Sequence, residues 1–221
     1  MKKVNIAIDG PAGAGKSSIS KEVAKRLGIV YVDTGAMYRA CAVYALENGI
    51  EISQEAIIPH LGDIKIDINY NENGQQIILN GKDVSDRIRE QDATIGSSKI
   101  AVIPEVRLKL VELQRSLAES KSVIMDGRDI GTYVLPNADL KIFLTASVAE
   151  RARRRFLEMQ QKGMECDIKD VERDIEFRDK NDSEREFAPL RCAEDAVLID
   201  SSDLNFDEVC DKIYDMVKKI L

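Results

Sequence analysis

The 221-residue sequence predicts a doubly wound α/β fold with a five-stranded parallel sheet flanked by helices. Short apolar runs recur along the chain, and each is followed by Asp or Thr: Val4–Ile8, Val30–Val32, Val123–Met125, Leu140–Leu144 and Val197–Ile199. Because strands buried on both faces of a parallel sheet are continuously apolar, these runs predict its strands. The stretches between them have a helical period: Lys16–Leu27, Ala36–Glu47, Glu105–Ser120, Ser147–Lys162, Ile168–Glu186 and Phe206–Ile220.

Residues 52–92 interrupt this alternation of strands and helices. Ile64–Tyr70 alternates apolar and polar residues, and Gln76–Leu79 predicts a second strand. The dipeptides Asn73-Gly74 and Asn80-Gly81 are typical of tight turns between antiparallel strands. We therefore expect one domain over residues 1–221 with an antiparallel insertion, followed by a helical return to the sheet. A plain extension of the sheet edge without function is the alternative.

The composition argues against several kinds of partner. Lys and Arg number 32 against 39 Asp and Glu, and the resulting net charge of -7 argues against a broad nucleic-acid surface. No stretch approaches the roughly 20 apolar residues of a membrane span, and the apolar stretch before Asp9 and Gly10 is too short for the apolar region of a signal sequence. We expect a cytoplasmic monomer without nucleic-acid or membrane partners.

Cysteine and histidine are placed in a way that disfavours a zinc site or a disulfide framework. Cys41, Cys166, Cys192 and Cys210 are widely separated, and the chain has a single histidine, His60. We expect reduced cysteines without a special role and a histidine that is structural or exposed.

The strongest motif is GPAGAGKS at Gly10–Ser17, which matches the P-loop pattern G-x-x-x-x-G-K-[ST] between a predicted strand and a predicted helix. Its backbone N–H groups and the helix N-terminus are suited to binding phosphate. Lys16 is predicted to bind the β- and γ-phosphates, and Ser17 to bind Mg²⁺. The predicted nucleotide-binding residues are Gly10, Pro11, Ala12, Gly13, Ala14, Gly15, Lys16, Ser17 and Ser18. Switches, motors and kinases share this motif, so it leaves the reaction open.

Charged residues follow the second and third predicted strands. Arg39 lies one turn into the helix after Asp33-Thr34-Gly35, where it could bind a second phosphate, or where it could be a surface arginine. Asp126-Gly127-Arg128-Asp129 lies at the carboxyl edge of the predicted sheet, where ligands of open α/β folds bind. Asp126 could hold Mg²⁺ through its water shell and Arg128 could contact the acceptor phosphate, although turn or capping roles are the alternative.

Arginines recur on one face of the fourth long predicted helix. Arg151, Arg154 and Arg155 are spaced i, i+3 and i+4, as expected for a helical lid that stabilises charge on a transferring phosphoryl group. The alternative is a solvated face paired with Glu150 and Glu158. A later charged run, residues 178–185, looks by itself like a solvated helix end.

Taken together, these blocks resemble the bacterial cytidylate kinases of the nucleoside monophosphate kinase superfamily. IDGPAGAGKS, DTGAMYR, DGRDIGT, KIFLTAS and RDKND…APL follow one another in the family's order over nearly the full length. The resemblance implies phosphorylation of CMP by ATP with Mg²⁺, in pyrimidine nucleotide metabolism. It also implies a monophosphate-binding role for the 52–92 insertion and a lid over residues 147–187.

The resemblance assigns roles to further residues of this chain. It implies acceptor-phosphate contacts by Thr34, Arg39 and Arg128, base contacts by Ser98, Arg107 and Asp129, and ribose contacts by Arg178, Asp182 and Arg185. The expected catalytic residues are Lys16, Arg39, Arg128, Arg154 and Arg155, and Arg151 is expected at the bound ATP. Ser17 and Asp126 are the expected metal-binding residues.

The chemistry of cytosine agrees with this expectation. Asp129 could accept a hydrogen bond from the exocyclic amino group while Arg107 donates to ring acceptors, whereas uracil would present a carbonyl to the carboxylate. A kinase for UMP, AMP or dTMP is the nearest alternative, and dCMP is a further expected acceptor. A GTPase switch is disfavoured because the chain has no Asn-Lys dipeptide from which to build a guanine-binding motif.

Overall fold

The computed structural model of the chain describes residues 3–72, 74–161 and 163–221. Eight strands are β1 (Asn5–Asp9), β2 (Val30–Asp33), β3 (Ile66–Asn71), β4 (Gly74–Leu79), β5 (Lys82–Asp83), β6 (Val123–Gly127), β7 (Leu140–Thr145) and β8 (Val197–Asp200). The α-helices are α1 (Lys16–Leu27), α2 (Thr34–Glu47), α3 (Gln54–Ile57), α4 (Gln91–Ile100), α5 (Pro104–Ser120), α6 (Val148–Gln161), α7 (Ile168–Glu184) and α8 (Phe206–Lys218).

The strands form two sheets. A five-stranded sheet has the order β2-β6-β1-β7-β8, and β1 pairs in parallel with both β6 and β7. A three-stranded antiparallel sheet has the order β3-β4-β5. The predicted fold class is confirmed, because all five apolar runs are strands of the first sheet and the interrupting segment forms the second.

By its compactness the chain divides into two units. The first unit comprises Met1–Val30 and Lys121–Leu221, and the second comprises Tyr31–Ser120. Buried strand residues such as Ile6, Ile8 and Ile124 form the core of the first unit. In the second unit α2 and α4 are packed closely: a Cβ built on Gly96 of α4 would lie 3.0 Å from the Ala42 Cβ of α2.

Some elements differ from the sequence-based expectation. Helix α4 has no counterpart in the predicted set, since Gly96, Ser97 and Ser98 are weak helix formers and its packing against α2 is a tertiary effect. Helix α7 ends at Glu184 instead of Glu186. Asn73 of the first predicted turn and Lys162 at the predicted end of α6 lie outside the described residues.

The isolated cysteines and histidine have ordinary environments. All four cysteines are free thiols. His60 lies on a 3₁₀ helix at Ile58–Asp63, and its side chain is exposed.

Candidate active site

A glycine-rich loop joins β1 to α1 and turns the backbone sharply. Gly10 has φ +149°, and a Cβ built there would lie 1.9 Å from the carbonyl oxygen of Leu144 at the end of β7. No L residue with a side chain fits that position, so glycine is required where the loop leaves the sheet. Among the described residues no side chain caps the start of α1, so its first N–H groups are available to an anion.

Lys16 is the first residue of α1 and folds back over this loop. Its Nζ donates to the carbonyl oxygen of Pro11 at 2.7 Å, and the residue is buried. Burial lowers the pKa of the Lys16 ammonium, and the nearby Arg128 guanidinium lowers it further, although Asp126 opposes both effects. An anion beside Nζ would favour the charged form of this lysine.

Ser17 and Asp126 meet where β1 and β6 end. The Ser17 Oγ donates to an Asp126 carboxylate oxygen at 2.7 Å, and Asp126 is buried. A hydroxyl beside a buried carboxylate is an all-oxygen donor set of the kind that Mg²⁺ prefers. The two side chains therefore fit the ion. In the described part of the chain no group of three or more His, Cys, Asp or Glu side chains is arranged to hold a metal by itself.

Asp9 is a buried carboxylate that the sequence reasoning did not single out. One of its oxygens accepts from the Ile130 N–H at 2.8 Å, and the other accepts from the Gly131 N–H at 2.7 Å. Burial raises the pKa of Asp9 to about 6 despite these two hydrogen bonds. In the sequence, the one feature that could have drawn attention to Asp9 is its position between a predicted strand and Gly10 of the P-loop motif.

Arg128 and Asp129 form buried or half-buried ion pairs with the end of α7. The Arg128 Nε lies 2.6 Å from an Asp182 carboxylate oxygen. Burial opposes the charge of Arg128, but the carboxylates of Asp182, Asp126 and Asp179 together outweigh it and raise the pKa of the guanidinium. Asp129 lies 3.3 Å from Arg185, and both side chains are buried. The structure thus brings together four of the predicted acceptor-binding residues.

Arg151 on α6 is held by three carbonyl or carboxylate groups. It donates to the carbonyl oxygens of Ala146 and of Ala12 in the glycine-rich loop, both at 2.9 Å, and it lies 2.6 Å from Asp179 of α7. Only 5% of its side chain is exposed. Arg151 therefore connects the loop to α6 and α7, and Asp179 is a partner that sequence reasoning missed.

The other two predicted lid arginines, Arg154 and Arg155, have different surroundings. Arg154 donates to Glu150 at 2.8 Å and to the carbonyl oxygen of Ser201 at 2.6 Å. Arg155 pairs with Glu158 at 2.8 Å and is half-buried. The solvated-face alternative thus correctly anticipated the carboxylate partners of Arg154 and Arg155.

Arg178 on α7 is a partly buried arginine of the first unit with other charged side chains nearby. Burial lowers the pKa of its guanidinium, and the charge of Arg155 lowers it further. Arg128 acts in the same direction. The carboxylates of Asp174 and Asp182 act in the opposite direction, so positive and negative charges are mixed around Arg178.

In the second unit, Asp33 organises the turn that carries Thr34 and Arg39. Asp33 caps α2 by accepting from the Ala36 N–H at 2.9 Å, and its other oxygen lies 2.8 Å from the Arg39 guanidinium. The Asp33 N–H donates to the Gln75 side chain on β4 at 2.8 Å. Thr34 is buried at the first position of α2. The antiparallel insertion therefore directly contacts the turn predicted to bind phosphate.

Arg107 and Ser98 also lie in the second unit, on α5 and α4. Arg107 is 1% exposed, its guanidinium carbon lies 5.4 Å from the centre of the Tyr38 ring, and it donates to the Ala101 carbonyl oxygen at 3.0 Å. Such a stacked and hydrogen-bonded guanidinium has a fixed orientation. Ser98 is exposed.

Comparison with known proteins identifies close relatives over the whole chain. A family model described as cytidylate kinase matches residues 6–219. A cytidylate kinase of Caldicellulosiruptor saccharolyticus is 51% identical and covers 100% of this chain and 98% of that protein. One from Lactobacillus johnsonii is 50% identical and covers 98% of this chain and 94% of that protein.

A solved structure supports the fold alone. An uncharacterized protein from Eubacterium ventriosum has a TM-score of 0.57 at 13% identity, and the match covers 98% of this chain and 99% of that one. No helix within the described residues is both long and apolar enough to cross a membrane.

Proposed function

The chain belongs to the cytidylate kinase family, and we propose that it transfers the γ-phosphoryl group of MgATP to CMP, giving ADP and CDP. The bond between the γ-phosphorus and its bridging oxygen breaks, and ADP leaves with the electron pair. A phosphate oxygen of CMP forms the new bond to the γ-phosphorus. Proposed acceptors include dCMP.

The glycine-rich loop and three side chains are proposed to bind the donor. Backbone N–H groups of residues 10 and 12–18 bind phosphate oxygens, and Lys16 exchanges its contact with the Pro11 carbonyl for the β- and γ-phosphates. Ser17 and Asp126 are proposed to hold Mg²⁺, which supplies positive charge to the phosphate oxygens. The phosphate charge then offsets the burial that disfavours the Lys16 ammonium.

The reaction needs no general base. The attacking phosphate oxygen is already largely ionised at neutral pH, which agrees with a chain whose single histidine is exposed. Catalysis therefore consists of holding two anions together and stabilising the charge of the transition state. We assign acceptor-phosphate binding to Thr34, Arg39 and Arg128.

The lid arginines are proposed to act on the donor and the transferring group. Arg155 is the best supported of them, because its charge lowers the pKa of Arg178 and so acts within the same group of arginines. Its partner Glu158 is exposed, so a phosphate could replace Glu158 at little cost. Arg151 is proposed to act by fixing the loop that binds ATP, because its own donors are bound by protein. Arg154 needs to leave Glu150 and Ser201 to reach a phosphoryl group.

Asp129 and Arg107 are proposed to recognise cytosine. Both are buried, which increases the cost of leaving a polar partner unmatched. A base with a carbonyl opposite Asp129 loses a hydrogen bond and meets a negative charge, so we expect discrimination against UMP on the order of 10²-fold. Ser98 is proposed as a further base contact, and Arg178, Asp182 and Arg185 as ribose contacts.

The observation on which the proposed chemistry most depends is the contact between Ser17 and Asp126 beside the buried Lys16. This constellation of a hydroxyl, a carboxylate and an ammonium suits a metal-bound triphosphate. We further propose that residues 52–92 are the monophosphate-binding insertion and that residues 147–187 are the lid. The protein is also proposed to be a cytoplasmic monomer.

Release of ADP from MgATP with CMP, dCMP, UMP, AMP, dTMP or no acceptor tests the proposal. We expect turnover with CMP and dCMP, and kcat/KM for UMP lower by about 10²-fold. Lys16→Met should reduce turnover by on the order of 10²-fold or more, because it removes a charge at the transferring group. Asp129→Asn should reduce kcat/KM for CMP more than for UMP. Preference for another acceptor, or hydrolysis that needs none, would contradict the assignment.

A further inference from the structure

Asp9 connects the strand that leads into the glycine-rich loop with the segment that carries Arg128 and Asp129. Its two carboxylate oxygens accept separately from two successive backbone N–H groups, those of Ile130 and Gly131. These residues begin a short π-helix at Ile130–Val134, directly after Asp129. The first N–H groups of a helix have no carbonyl acceptor within the helix, and the Asp9 carboxylate accepts their hydrogen bonds instead.

The segment is constrained from the other side by Lys141 on β7. A Cβ built on Gly131 would lie 3.1 Å from the Lys141 Cδ and 3.4 Å from an Asp9 carboxylate oxygen. The Lys141 side chain is itself buried and fixed by an ion pair with Asp195 at 2.8 Å. As long as Lys141 and Asp9 keep their positions, only glycine fits at residue 131 without displacement.

From this geometry we infer that Asp9 is a positioning residue that sets the location of Asp129 and Arg128 relative to the phosphate-binding loop, and thereby determines selectivity for the acceptor base. Asp9 acts through the backbone of Ile130 and Gly131 and touches neither nucleotide. This inference rests on the proposed function, because it assigns recognition of the base to Asp129.

The Asp9→Asn variant removes one of the two acceptors while it keeps the shape of the side chain. Its amide N–H would then face a backbone N–H, so residues 130–131 should shift away. We expect KM for CMP to rise at least about tenfold and the ratio of kcat/KM for CMP over UMP to fall at least about fivefold, with KM for MgATP changed less than about threefold. Hydrogen exchange of the Ile130 and Gly131 amides should accelerate.

A second variant distinguishes the position of the 130–131 backbone from the charge of Asp9 as the cause of the effect. Gly131→Ala keeps the Asp9 carboxylate beside Lys16 but displaces residue 131, so it should also raise KM for CMP and lower the CMP to UMP ratio, by about threefold or more. If Asp9→Asn alone has this effect, the cause is its charge acting on Lys16, and the inference is wrong. If Asp9→Asn does not fold, Gly131→Ala decides the question by the same measurements.

Asp139→Asn is the matched control. Asp139 accepts from the Asn5 N–H at 2.9 Å, and so it provides a similar contact at the opposite end of β1. Its kinetic constants should equal those of the wild type. Unchanged KM and selectivity in both test variants, or equal losses for ATP and CMP, would overturn the inference. If the wild type prefers another acceptor, the proposed function fails, and the variants are then compared on that acceptor.

Discussion

Asp9 shows how burial and hydrogen bonding compete at a single side chain. The two backbone N–H donors favour its ionised form, but burial dominates and raises the pKa from its ordinary value of 3.8 to about 6. The folded protein therefore binds this proton more tightly than the unfolded chain does. Protonation of Asp9 consequently stabilises the fold.

The stability contributed by Asp9 should depend on pH. It is fully present below the unfolded pKa and is lost as the pH rises through the folded pKa of about 6. A shift of about two units corresponds to about 3 kcal/mol. The free energy of unfolding of the wild type, measured relative to Asp9→Asn by urea denaturation, should therefore fall by up to that amount between about pH 4 and pH 7.

Asp139→Asn is the control for this titration, because Asp139 accepts a backbone hydrogen bond near the surface of the same strand. Because the Asp139→Asn variant keeps Asp9, its free energy of unfolding relative to Asp9→Asn should also fall between about pH 4 and pH 7. A wild-type stability that rises relative to Asp9→Asn between about pH 4 and pH 7 would show that hydrogen bonding, and not burial, dominates at Asp9.

At the scale of elements, α6 and α7 form a pair that contacts the phosphate-binding loop. Ala152, Val171 and Ile175 are buried together between these helices. Arg151 adds a polar connection, since it reaches the Ala12 carbonyl oxygen and Asp179 at once. The arrangement explains why α6 carries one fully buried arginine beside arginines that are exposed or half-buried.

Asp179→Asn should weaken this pair of helices. The substitution leaves the buried Arg151 charge without its carboxylate, and we expect the free energy of unfolding to fall by about 1–3 kcal/mol in urea denaturation. Glu158→Gln, which breaks the exposed pair with Arg155, is the matched control and should cost at most about 1 kcal/mol. If the two variants lose the same free energy of unfolding, the buried Arg151–Asp179 pair stabilises the helices no more than an exposed ion pair does.

At the scale of the whole molecule, the sequence predicts the sheet better than the contacts around it. Strand runs such as Val123–Met125 are recognisable because burial on both faces leaves no polar positions. The P-loop and Asp126 are likewise predictable, since motif and strand end coincide. Helix α4 is not, because its weak local preference is overridden by the fit of Gly96 against α2.

Local sequence patterns could not predict which side chains and backbone groups pair with the site residues. The Arg185–Asp129 and Arg151–Asp179 pairs join residues that are far apart in sequence, so only the fold reveals them. The role of Asp9 depends on two backbone groups 121 and 122 residues away. Backbone donors have no sequence signature, and the residue looked like an ordinary strand end.

Hydrogen exchange along the whole chain separates the proposed donor residues from the acceptor residues. MgATP alone should slow exchange at residues 10–18 at least about tenfold, because backbone N–H groups become bonded to phosphate oxygens. CMP alone should slow exchange at residues 34–39 and leave residues 10–18 unchanged. Lys16→Met should weaken the first effect and keep the second, which makes it an internal control. Protection of residues 10–18 by CMP alone would contradict this division, because the glycine-rich loop would then bind the acceptor phosphate instead of the donor.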